Sequence, residues 1–146
     1  MSYDDYDDVA VLDIGSLYTR IGPAGSETVD SVMFTSIDND NNQRGVATAP
    51  SGVRWPVVKS RVADWEAMES LIEMIFDDCA RTQTYYKAVC LLEPFGLERS
   101  SKERMIQILF EQEEVMNMGL AQEVVMPLYA NGRTTGLSVV MGHGSC

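Results

Sequence analysis

The chain has 146 residues, 45% of them apolar, and 22 acidic against 11 basic side chains, a net charge of −11 at pH 7. That length and apolar share suit one domain around one sizeable core. The charge repels phosphate backbones and anionic bilayers, and no apolar run approaches the ~20 residues of a membrane span, so nucleic acid and membrane are excluded as expected partners.

Residues 1–8, with Asp4, Asp5, Asp7 and Asp8 in "YDDYDD", read as a solvated acidic tail. They carry acids where a secretory leader carries bases, which predicts a soluble, intracellular protein. Three strands follow: "VAVLDIG" is apolar up to Asp13, "LYTRIG" alternates, and "DSVMFTSI" is rich in β-formers with a period of two. Strands in such close succession form a meander. "DNDNNQRG", residues 38–45, is a polar turn cluster, and "ATAPSGVRWP" with its two prolines is a loop or an edge element.

From Asp64, a plausible helix N-cap, the period changes. Trp65, Met68, Ile72, Ile75, Phe76 and Cys79 share one helical face. "YKAVCLL" is a continuous apolar run of strand length, the pattern of a strand covered on both faces. Ser100 and Glu103 have capping-box spacing ahead of Met105, Ile106, Ile108 and Leu109, the apolar side of a second helix that ends around "EQEE". A strand over "VMNMGL" and a third helix over about Gln122–Ala130 come next, closed by Asn131-Gly132. Pro127 conflicts with that helix, because proline removes a backbone donor. A last strand is expected over 136–140, followed by the turn "GHG".

Cys79, Cys90 and Cys146 lack the paired spacing of a zinc site or a disulfide framework, which suggests a reducing compartment. The single histidine, His143, has no other ligand near it in sequence and reads as an exposed loop residue; no metal site is expected. The nine methionines read as adaptable core filler. A meander followed by alternating helices and strands implies an α/β fold with a mixed sheet, antiparallel first and then parallel through right-handed crossovers. This is the element order of the ribonuclease-H-like fold.

Four segments carry a family likeness: "LDIGSLYTRIGPAG" at 12–25, "DWEAMESLI" at 64–72, "KERMIQILFE" at 102–111 and "LYANGRTTG" at 128–136. In this order, over nearly the whole chain, they resemble the first part of actin and actin-related proteins. The resemblance implies two ribonuclease-H-like halves that clamp ATP and a divalent cation, with this chain supplying a half-domain with a mixed five-stranded sheet. It places an N-terminal lobe over 9–135, with a shortened insertion near 38–55, and the first strand and turn of the second lobe over 136–146. In the first phosphate turn, Asp13, Gly15 and Ser16 match the family pattern and Arg20 stands at a basic position, which makes these four the expected nucleotide-binding residues. Gly15 would let the backbone approach a phosphate, Ser16 would donate a hydrogen bond, and Asp13 would hold a hydrated cation. Gln122 matches a glutamine that the family places near the attacking water.

Departures from the family pattern shape the expected function. Val140 and His143 stand where the second phosphate turn has acids, and Leu17 replaces a glycine and would crowd the first turn. The ATPase site is therefore expected to be degenerate, with Gln122 vestigial and no catalytic residue, no resident cofactor and no bound metal. The shortened insertion removes the main filament contact that the resemblance implies, so self-polymerisation is not expected. The reading is a non-catalytic, actin-like structural or adaptor subunit of a cytoplasmic cytoskeletal assembly. Its implied partners are actin, actin-related subunits or motor proteins, the last through the acidic N-terminus. The alternatives are a half that binds ATP with Mg when a second chain completes it, and the front part of a longer actin-related protein.

Overall fold

The computed structural model describes residues 9–38, 52–81, 85–113 and 115–144. The acidic tail and most of the shortened insertion lie outside the described residues.

Strand β1 (Val9–Ile14) pairs antiparallel with β2 (Tyr18–Pro23), which pairs antiparallel with β3 (Ser31–Phe34). After helix α1 (Trp65–Arg81), strand β8 (Ala88–Glu93) lies parallel to β1, with Leu12 opposite Leu91. After helix α2 (Arg99–Glu111), strand β9 (Asn117–Gln122) lies parallel to β8, with Glu93 opposite Gln122. The result is a five-stranded mixed sheet in the order β3-β2-β1-β8-β9, the expected architecture. Between β3 and α1 stand two short pairs, β4 (Ile37–Asp38) with β5 (Val53–Arg54) and β6 (Val57–Val58) with β7 (Arg61–Val62). The expected third strand thus breaks after Phe34, and of the segment read as a loop or an edge element the described end forms β5, paired with β4, just ahead of the small β6–β7 hairpin.

One core joins the sheet to the two long helices. Ala10, Leu12, Ile21, Val89 and Leu91 from the strands pack with Met68, Leu71, Ile72 and Ile75 of α1 and with Met105, Ile108 and Leu109 of α2, all buried. Their spacing explains the placement: alternate strand residues point to one face, and helical residues three and four apart form one stripe. Residues facing the other way, such as Val11, Cys90 and Leu92, are half-buried.

Asp64 does cap α1, its Oδ1 accepting the Ala67 N–H at 3.1 Å. Arg54 braces the cap from the hairpin side, donating to both Asp64 oxygens at 2.6 Å, and holds the carboxyl below its usual range. The capping box expected at Ser100 does not form. Helix α2 begins two residues earlier, its N-cap is Glu98 without a side-chain cap, and Glu103 turns sideways to Arg99 at 2.7 Å.

The expected third helix over Gln122–Ala130 is also corrected. Strand β9 keeps Gln122, because pairing with Glu93 satisfies its backbone, and α3 spans only Met126–Ala130. Pro127 sits in the first turn of α3, where its missing donor costs nothing. The stop is as expected: Gly132 adopts φ 66° and donates to the Tyr129 carbonyl at 2.9 Å. The strand expected over 136–140 is absent. The segment has alternating side chains but no pairing strand among the described residues, leaving Leu137 89% and Met141 78% exposed.

Candidate functional site

The parallel strands β1, β8 and β9 end on the same side of the sheet, and a cleft of about 290 Å³ opens there. A crevice at the carboxyl ends of parallel strands is where α/β sheets place ligands, because the connections diverge there. Asp13, Gly15 and Ser16 line it from the turn after β1, Leu92, Pro94 and Phe95 from the end of β8, and Glu123 and Val124 from the end of β9. Lys59 and Ser60 enter from the β6–β7 turn, and Val140, Gly142, His143 and Gly144 from the last described segment. The structure thus brings together three of the expected nucleotide-binding residues with both positions at which acids were missed.

The turn after β1 is tight. The Gly15 N–H donates to the Tyr18 carbonyl at 3.0 Å, and a Cβ on Gly15 would stand 3.0 Å from that same oxygen. Ser16 Oγ accepts the Ser60 N–H at 3.3 Å. Gly144 comes so close that a Cβ there would lie 2.5 Å from Ser16 Oγ. Lys59 and Ser60 reach this position with φ of 50° and 60°, a left-handed conformation that non-glycine residues adopt at a cost.

Arg20 is not in the cleft lining. It lies directly across the β1–β2 ladder from Asp13, donates to Oδ2 at 3.1 Å and places its guanidinium over the Tyr18 ring. Tyr18 in turn stacks on Phe34 with ring centroids 5.0 Å apart. Leu17 is half-buried and also outside the lining, its carbonyl accepting the Thr35 N–H at 2.8 Å, so it does not crowd the cleft.

Gln122 stands apart from the lining. It closes the β9 ladder and does not line the cleft; its neighbour Glu123 does. The Glu123 N–H donates to the Glu93 carbonyl at 3.0 Å, which fixes the residue at the strand end. Burial, and then the negative charge of Asp13, raise the Glu123 carboxyl above its ordinary range. The signal for it was faint: an acid one position past a strand end whose register only the sheet defines. Lys59 and Phe95 were missed for a similar reason, since long-range packing alone carries them to the cleft.

Elsewhere the titratable groups are structural. Glu93 is buried at the end of β8, where Lys102 Nζ donates to Oε1 at 3.0 Å and lies 2.9 Å from Oε2, to which no hydrogen bond is aimed. Burial pushes the Cys79 thiol up to about 11 and raises that of Cys90, so neither is a ready nucleophile. Among the described residues, no three His, Cys, Asp or Glu side chains gather as a cation site. Within the first turn the Gly15 N–H donates to Tyr18, and the Asp13 carboxylate accepts from Arg20, while Ser16 Oγ accepts the Ser60 N–H and keeps its own O–H to donate. Of that turn, the Gly15 amide and the Asp13 carboxylate are the groups already engaged within the chain.

Comparison with known proteins agrees with this architecture. The family model described as Actin matches residues 4–146. The chain is similar to "Actin-related protein 7" of Oryza sativa subsp. indica, 28% identical over 94% of this chain and 39% of that protein. It is similar to the "Actin-like protein" of Neurospora crassa, 29% identical over 92% of this chain and 40% of the relative. "Centractin" of Saccharomyces cerevisiae is 28% identical over 99% of this chain and 42% of the relative. The chain therefore spans about two fifths of the length of the relatives it matches.

Proposed function

The chain belongs to the actin family, and from that premise we propose that it acts as a non-catalytic, actin-like structural or adaptor subunit of a cytoplasmic cytoskeletal assembly, working through protein–protein contacts. One observation carries the reading: the turn after β1, which should cradle phosphate, is closed on itself by Tyr18, Arg20 and Ser60. Phosphoryl transfer relies on positioning and on charge stabilisation of the transferred group. Here the Gly15 amide and the Asp13 carboxylate already have partners, and Glu123 adds a carboxylate to the lining of the same cleft. Asp13, Gly15, Ser16 and Arg20 then serve as the frame of an interaction cleft, and the chain does not polymerise by itself. Proteins of the actin and actin-related type are the partners this reading favours.

A second reading, an ATP-binding half completed by another chain, has one observation in its favour. Gly144 lies against Ser16, and Gly142 lines the same cleft, which is a backbone-rich arrangement of the kind phosphates use. In it, Ser16 and the glycine amides would hold the phosphates and Asp13 the hydrated cation. The melting temperature separates the two, because a ligand that binds only the folded state raises it. The adaptor reading expects no shift from millimolar MgATP; a saturable rise that Asp13→Ala abolishes would replace it with the second.

A further inference from the structure

The cleft holds one acid that the fold leaves uncompensated. Asp13 is balanced by Arg20 at 3.1 Å, and Glu93 by Lys102 at 2.9 Å. Glu123, anchored by its own N–H on the Glu93 carbonyl, lines the cleft with no hydrogen bond or ion pair to its carboxylate among the described residues. A partly desolvated carboxylate gains most from a cation brought to it.

The walls describe what could bring that cation. The volume, about 290 Å³, lies at the low end of small-molecule sites and suits one long side chain better than a nucleoside triphosphate. Phe95 stands at the cleft 82% exposed, and Ile14, Leu92, Val124 and Val140 line the interior. Arginine and lysine use such surroundings, laying an aliphatic stem on apolar atoms and offering the charged head to a carboxylate or an aromatic face. Lys59 also lines the cleft, but it is exposed and makes no ion pair with Glu123 among the described residues. The net charge of −11 draws a basic partner toward the chain at long range.

Resting on the adaptor reading above, we propose that the cleft is the receptor for a single basic side chain, an arginine or lysine, from a protein partner, with Glu123 as the carboxylate that receives it and Phe95 as the apolar clamp on its stem. The same residue sets specificity by sign, since Glu123 repels a phosphate chain entering along the turn after β1.

The test uses the full chain, labelled with nitrogen-15 and titrated with acetyl-Leu-Arg-Leu-amide, with the norleucine analogue as the uncharged probe and magnesium tripolyphosphate as the anionic one. The arginine peptide should shift the amides of Gly15, Glu123 and Val124 saturably, and the norleucine peptide should not. Glu123→Gln should weaken the arginine peptide by about tenfold and Glu123→Asp should largely restore it, the loss expected of one desolvated ion pair. Glu103→Gln, which removes the same charge from the exposed side of α2, should leave it unchanged. Equal affinity for Glu123→Gln and the parent chain, or no response to the arginine peptide, overturns this inference and leaves the adaptor reading standing. Saturable binding of magnesium tripolyphosphate at those amides overturns both.

Discussion

At the scale of single residues, buried charge decides more than surface pairing. Glu113 lies just beyond α2, and burial, with the charges of Glu73 and Asp77 on α1, pushes its carboxyl up to about 7. A carboxyl whose folded value exceeds its unfolded one binds protons preferentially in the folded state. Its contribution is therefore present at low pH and is lost as pH rises from its ordinary value of 4.5 through about 7. Glu113→Gln should flatten stability across that window and stabilise the chain at pH 8 by about 1 kcal/mol after solvent screening, checked by urea unfolding at pH 5 and pH 8. A mutant that keeps the parent's pH slope would refute the assignment. Lys102→Met tests the opposite case, because it strands the 8% exposed Glu93 side chain without its partner. The half-exposed position of Lys102 puts the expected loss toward the lower end of the range for breaking a buried pair, about 3 kcal/mol by denaturant titration.

At the scale of elements, α1 binds the fold together and the last segment does not. Leu71 is fully buried at the centre of the α1 stripe, so Leu71→Ala should cost about 2–5 kcal/mol by the same unfolding titration. Residues 137–144 make no ladder, and Leu137 and Met141 stand in solvent. A chain ending at Gly136 should therefore keep its circular-dichroism spectrum, while losing the Val140, His143 and Gly144 wall of the cleft and with it the arginine-peptide response. Unfolding of that shortened chain would show instead that the contact of Gly144 with Ser16 belongs to the core.

For the whole molecule, charge and layer arrangement pull in different directions. With 22 acids against 11 bases, self-repulsion opposes compaction, and ion pairs such as Arg54 with Asp64 and Glu66 relieve it only locally. Raising sodium chloride from about 0.05 to 0.5 M shortens the Debye length and should raise the melting temperature by several degrees. A fall would mean that the pairs outweigh the repulsion. The two long helices share one core with one face of the sheet, while the residues of the other face are only half-buried. On the adaptor reading proposed above, the half-buried face is a further contact surface, since parallel strands are ordinarily covered on both faces.

Much of the fold was legible because it is local. Period two in "LYTRIG", the helical stripe from Trp65 to Cys79, the Asp64 cap and the Asn131-Gly132 stop are each set by neighbours a few residues away, and all formed as expected. Element order then constrained the sheet, since parallel crossovers have one hand. What failed was non-local. The ladder with Glu93 drew Gln122 into β9 and turned Glu123 into the cleft, the pairing across β1 and β2 gave Arg20 to Asp13, and residues 136–140 have no pairing strand among the described residues. Sequence alone determined which segments could be helix or strand, because that preference resides in each segment's own backbone and side chains. Only the tertiary structure decided which side chain of a neighbouring pair faces the site, because register is fixed by hydrogen bonds to a strand far away in the chain.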